Sequence, residues 1–151
     1  MRPLLALALS ASIAACEPDP VEATVSNELP AGTIEKVWFR TTLFTQPLEV
    51  GQSTEALRVG TGVEPAYALV RIGGRTYAAR TAEPVRAEAG ESTRIVFSAA
   101  SARSICFGSP ILTEEDYAFI TSRIFPGDDV APYDPALCTA PLPPAADAST
   151  D

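Results

Sequence analysis

Short runs of β-branched and aromatic residues, broken by Gly, Pro and Ser, fill the middle of the chain. Residues 33–40 read Thr-Ile-Glu-Lys-Val-Trp-Phe-Arg, the composition of a strand. Residues 55–59 alternate, with Leu57 and Val59 on one face. Residues 66–72 and 75–79 are two strand-like runs that meet across Gly73-Gly74. Two residues that accept positive φ between such runs predict a tight hairpin. Residues 84–87 form a shorter candidate, residues 93–98 and 104–107 form a further pair, and residues 21–27 add an edge strand. The expected fold class is all-β: an antiparallel sandwich or small barrel of about seven strands.

The period changes near the end. Thr113 can cap a helix whose first turn holds Glu114, Glu115 and Asp116. Those acids suit the positive end of a helix, and Asp116 stands where it closes a capping box. Leu112 and Tyr117 occupy the hydrophobic-staple positions. Tyr117, Ile120 and Ile124 share one face, and Pro126-Gly127 ends the segment. One short C-terminal helix, packed on the sheet, completes the expected fold.

The first residues follow neither pattern. Met1-Arg2 is a short positive region, residues 4–9 are Leu and Ala only, and small residues lead to Ile13-Ala14-Ala15-Cys16. The apolar run is too short to cross a bilayer, which takes about 20 residues. It has the layout of a secretory signal peptide and is left out of the fold. Ile13-Ala14-Ala15-Cys16 resembles the bacterial lipobox, an aliphatic and two small residues before an obligatory Cys. Membership of the lipoprotein class implies cleavage before Cys16, a diacylglycerol on its sulfur and acylation, typically palmitate, of the new amine. Two or three chains, at about 0.8 kcal/mol per buried CH₂, hold a protein on a membrane almost permanently. Glu17 follows where Asp favours inner-membrane retention in well-studied sorting systems. The resemblance therefore implies an outer-membrane protein facing the periplasm or the cell surface, with the inner membrane the lesser alternative. It covers residues 1–16 and implies nothing about the mature domain.

The expected organisation is a signal peptide over 1–15, the lipidated Cys16 and a Pro- and acid-rich tether over 16–22, a β domain over 23–138 and a disordered Pro-rich tail over 139–151. Cys106 and Cys138 remain once Cys16 is lipidated. Two leftover cysteines in an oxidising compartment pair, and this bridge would enclose residues 107–137. In the chain-entropy model it stabilises by roughly 3–4 kcal/mol. A redox-active pair would call for Cys-x-x-Cys, which the sequence lacks.

Charge and composition narrow the function. The 151 residues carry a formal charge of −8 with a pI near 4.5, which argues against nucleic-acid binding and leaves membrane attachment to the anchor. There is no histidine, so histidine metal sites and Ser–His or Cys–His nucleophile pairs are excluded. Gly51-Gln52-Ser53 and Gly90-Glu91-Ser92 supply only the first half of a nucleophile elbow and read as turns that start strands. Lys36, the only lysine, is the one candidate base for a Ser–Lys pair. Asp128, Asp129 and Asp134 form an acidic loop without the spacing of a calcium loop. Gly60-Thr61-Gly62 is a turn. No catalytic, metal or cofactor residues are therefore assigned. Trp38 and Phe39, adjacent in a strand, point to opposite faces, and an exposed aromatic among Trp38, Tyr67 and Tyr77 would suit a protein or glycan contact. The expected function is a non-enzymatic interaction or structural module of the envelope. It is held to the membrane through Cys16 and has an envelope protein as partner; an accessory subunit of an envelope complex is one form of it. The alternative is a small envelope hydrolase with a carboxylate or Ser–Lys site.

Overall fold

A computed structural model describes residues 20–98 and 112–133. Among these, nine strands form three sheets, followed by one short helical segment, and no sheet closes into a barrel. The all-β fold with a C-terminal helix is as the sequence predicts. The strands are β1 (Val21–Asn27), β2 (Thr33–Phe39), β3 (Thr42–Phe44), β4 (Leu57–Val59), β5 (Gly62–Glu64), β6 (Tyr67–Ile72), β7 (Arg75–Arg80), β8 (Val85–Ala87) and β9 (Ser92–Phe97). The helix α1 (Glu114–Phe119) continues as a π-helical turn over Ile120–Ile124. The predicted strand at 104–107 lies outside the described residues.

One sheet has the order β4-β1-β9, a second β3-β2-β6-β7, and β5 pairs with β8 in a two-stranded ribbon. Val21, Ala23 and Val25 of β1 meet Ile34, Val37 and Phe39 of β2, Ala68 and Val70 of β6, and Ile95 and Phe97 of β9 in one buried cluster between the two larger sheets. Burial of these apolar faces is the main driving force for the sandwich. Two expectations need correction. The strand over 21–27 is central and not at an edge: it is antiparallel to β4 on one side and parallel to β9 on the other. The three-residue strands β3 and β5 were not expected; each lies beside a turn, and their runs Thr-Leu-Phe and Gly-Val-Glu are too short to stand out from it.

The hairpin over Gly73-Gly74 forms as predicted. Ile72 pairs with Arg75, and the two glycines adopt φ of +57° and +78°, the left-handed pair of a type I′ turn.

The second face of the four-stranded sheet is covered by the helical segment. Leu69 and Ala78 pack there against Leu112, Ile120 and Phe125, all buried, with Trp38, Tyr67, Tyr117 and Ile124 around them. The cap is as predicted. The Thr113 side chain accepts from the Asp116 amide at 3.1 Å, and the Thr113 amide donates to Asp116 Oδ2 at 3.1 Å. The shift to π geometry has a local cause. The Thr121 hydroxyl donates to the Tyr117 carbonyl (3.0 Å) and the Ser122 hydroxyl to the Ala118 carbonyl (2.6 Å), competing with the backbone for those acceptors. The Phe125 amide then reaches back five residues to the Ile120 carbonyl at 2.8 Å, and Phe125 is buried.

Candidate functional site

The outer face of the four-stranded sheet concentrates both charge and aromatic surface. A bulge in β2, where the register slips between Ile34 and Lys36, turns Lys36 and Trp38 to this face, opposite Leu69 and Tyr67 of β6. The Lys36 ammonium donates to both Asp128 oxygens at 2.7 and 2.9 Å. The Arg80 guanidinium donates to Asp116 Oδ2 at 2.9 Å, so the carboxylate that caps α1 also fastens the helix to β7. Glu35, the bulged residue, takes Arg71 Nε at 3.3 Å and the Thr76 hydroxyl at 3.1 Å. The Ala131 amide donates to the Thr76 carbonyl at 2.8 Å, so the loop after the helix runs along the edge of β7. The Lys36, Arg80 and Ala131 contacts hold the helical segment and its loop on the sheet, and Glu35 ties β2, β6 and β7 together within it.

Aromatic rings fill the seam between helix and sheet. Trp38 and Tyr67 have centroids 6.3 Å apart at 34°, and Tyr67 meets Phe119 edge-on at 5.8 Å and 68°. Phe119 is 42% exposed. It lies off the Tyr117–Ile120–Ile124 stripe, so the helical spacing that turns those three toward the sheet turns Phe119 outward; that off-stripe position was the available signal for it. Partial burial, then the nearby Asp116 carboxylate, raise the Tyr67 hydroxyl above its ordinary value; Arg80 opposes them, and Glu64 adds the smallest part. Like any tyrosine, Tyr67 is protonated at neutral pH and keeps a hydrogen-bond donor within an aromatic surface. Such a seam offers apolar contact with a polar handle, as suits a protein or glycan ligand. Trp38 and Phe39 do point apart, Phe39 into the main core and Trp38 into this seam.

A second cluster surrounds the β2–β3 turn. Arg40 has φ of +57°. Glu64 accepts from its amide at 3.1 Å and from its guanidinium at 2.8 Å, which fixes this unfavourable backbone. The guanidinium lies on Gly62, where an added Cβ would approach Arg40 Cζ to 2.8 Å. The turn Gly60-Thr61-Gly62 thus has a packing task, giving room to an arginine.

Other sequence candidates fall elsewhere. Ser53 sits beside β1, its hydroxyl 2.7 Å from that of Ser26, which accepts from Arg94 Nε at 3.1 Å. Lys36 belongs to the other sheet and to Asp128, so Ser53 and Lys36 do not meet. Ser92 begins β9. Glu114, Glu115 and Asp116 occupy the first turn of α1, as expected. Cys16, Cys106, Cys138 and Asp134 lie outside the described residues. Among the described residues, no group of three or more Asp, Glu, Cys or His is placed to hold a metal, and no helix is long and apolar enough to cross a membrane. No protein-family model, no curated protein and no solved structure matches the chain.

Proposed function

We propose that this chain is a membrane-anchored envelope lipoprotein whose β domain works by binding, as an interaction or structural module and in one form as an accessory subunit of an envelope complex. The observation that carries this reading is the junction of two features. Ile13-Ala14-Ala15-Cys16 has the form of a lipidation signal, and after a short Pro- and acid-rich stretch a packed β domain begins at Val21. Lipid on Cys16 supplies the membrane affinity that a chain of net charge −8 lacks for anionic headgroups. The contact surface in this reading is the Trp38–Tyr67–Phe119 seam. It combines an exposed ring with a protonated phenol, while Lys36 and Arg80 clamp the helical segment and its loop to the sheet and Arg71 pairs with Glu35 within the sheet.

Two experiments test it. Growth with an alkyne-tagged fatty acid should label the wild type and leave Cys16→Ser unlabelled; an unlabelled wild type rules out the anchor. In-cell crosslinking followed by purification from detergent-solubilised envelopes should then capture one envelope protein. That capture should be lost with Cys16→Ser and weakened by Phe119→Ala. Capture that is indifferent to both substitutions rejects the binding role assigned to the seam.

A further inference from the structure

The anchor point and the sheet topology together limit how the domain can stand on a membrane. Val21 is fully buried and paired with Val59, so the fold grips the chain from that residue on. Cys16 precedes Val21 by five residues, which reach at most about 18 Å when fully extended. Pro18 and Pro20 favour the polyproline form, about 3.1 Å per residue and a reach of about 16 Å. From Val21 to Asn27, β1 runs about 20 Å at roughly 3.3 Å per residue.

The two ends of the sandwich are identifiable. At the Val21 end β4 finishes at Val59, and Gly60-Thr61 leads into β5. Arg40, at the turn between β2 and β3, rests on Gly62 there. Val63 of β5 is 55% exposed at this end. At the Asn27 end, the Asn27 side chain bonds the Gly32 and Leu48 carbonyls, and the Gly51 amide donates to the Asn27 carbonyl at 2.8 Å. Val50, 52% exposed, lies at this opposite end.

Resting on the lipid-anchor reading above, we infer that the Val21 end, with the β5–β8 ribbon and the Arg40 turn, is apposed to the headgroup layer, and that the Val50–Gly51 turn is the membrane-distal pole. An inverted domain would hold Val21 about 20 Å above the surface. The tether cannot span that distance, since it starts at the glycerol level, below the headgroups. The orientation is set by the brevity of the tether and needs no affinity of the domain for lipid. The partner of this end is thus the bilayer surface, and other partners must approach from the sides or the distal pole.

The test uses the full chain purified in its lipidated form and reconstituted in vesicles of phosphatidylethanolamine and phosphatidylglycerol, with an alkyne on a fraction of the headgroups. A photo-crosslinking residue is placed as Val63→p-benzoylphenylalanine or Val50→p-benzoylphenylalanine, both at exposed sites. Lipid adducts should be several-fold more abundant from position 63. A flexible Gly/Ser insertion after Asp19, long enough to exceed the length of the domain, should remove the difference. Equal yields from the two positions, with the protein fully bound to vesicles, overturn the orientation and leave the anchor intact. A preference that survives the insertion overturns the tether as its cause. Wild-type protein that fails to float with vesicles overturns the anchor, and the orientation with it.

Discussion

Asn27 is the residue whose removal should cost the sandwich most for the fewest atoms lost. It is fully buried at the end of β1. Its amide nitrogen donates to the Leu48 carbonyl at 2.8 Å and the Gly32 carbonyl at 3.0 Å, and its side-chain oxygen accepts from the Leu29 amide at 3.1 Å. One side chain thus satisfies three backbone groups and joins β1 to the segment before β2 and the segment after β3. Asn27→Ala removes all three bonds but keeps the backbone bonds to Gly51 and Gln52. A net loss of about 1 kcal/mol per bond, plus the penalty for buried groups left unpaired, gives a destabilisation of about 3–5 kcal/mol. Urea unfolding followed by fluorescence of Trp38, the only tryptophan, measures it. The midpoint should fall with little change in slope, since the surface exposed on unfolding is nearly the same. Asn27→Asp should be at least as damaging at neutral pH, because a carboxylate would face two carbonyl oxygens. It should recover in part on acidification, when the neutral carboxyl regains a donor. A loss below about 1 kcal/mol for Asn27→Ala would refute the cross-sheet role, because even one buried bond is worth about that much.

Three further substitutions probe separate features. Gly32 (φ +101°) would place a Cβ 2.7 Å from Ile72 Cγ1 and 3.1 Å from the Arg71 carbonyl, whereas Gly51 (φ +83°) has open space. Gly51→Ala should cost only the left-handed backbone, about 1–2 kcal/mol, and Gly32→Ala clearly more; equal losses in thermal melts would refute the overlap. Thr113→Ala should cost about 1 kcal/mol by opening the capping box, and an unchanged melt would show that the box contributes nothing. Tyr67 holds its proton more tightly in the folded state, so its contribution is complete below the ordinary tyrosine value of about 10 and declines as pH rises through the higher folded value. Tyr67→Phe should therefore lose less stability than the wild type above that pH in denaturant titrations, and parallel alkaline losses would contradict the assigned cause.

What could be read from the sequence is what local chemistry decides. The Gly73-Gly74 hairpin, the Thr113–Asp116 box and the Leu112–Tyr117 staple depend on residues within a few positions of one another, and each is present in the fold. What could not be read depends on distant partners. Val21, Ala23 and Val25 alternate as any half-buried strand does. That alternation cannot tell an edge strand from a central one, because the parallel partner β9 lies some 70 residues away. The acids at 128 and 129 look like a solvated loop until the β2 bulge turns Lys36 toward Asp128. Trp38 and Tyr67 were candidates as aromatics, but their meeting with Phe119 depends on how α1 docks, which the spacing along the helix leaves undetermined.

The placement of β1 matters most for an anchored protein. In the proposed lipoprotein, any pull on the anchor would enter the fold at Val21 and travel along the β1 axis. An edge strand would resist with one ladder. β1 resists with two, β4 over Val21–Ala23 and β9 over Glu22–Asn27, so the load runs along strands bonded on both sides where it enters. Strands loaded along their length must break their ladder bonds together, whereas a strand peeled from one end loses them in turn. The parallel pairing with β9 has a further effect, since Ser92 begins at the same end as Glu22. The segment entering β9 therefore arrives from the Val21 end, and the ribbon partner β8 lies just before it in the chain. The strands gathered there are β1, β4, β5, β8 and β9, joined by the Arg40 turn between β2 and β3. The Val21 end is thus where long-range connections of the fold converge, and a tether fixed there, as proposed, would pull at the point where the topology is held together.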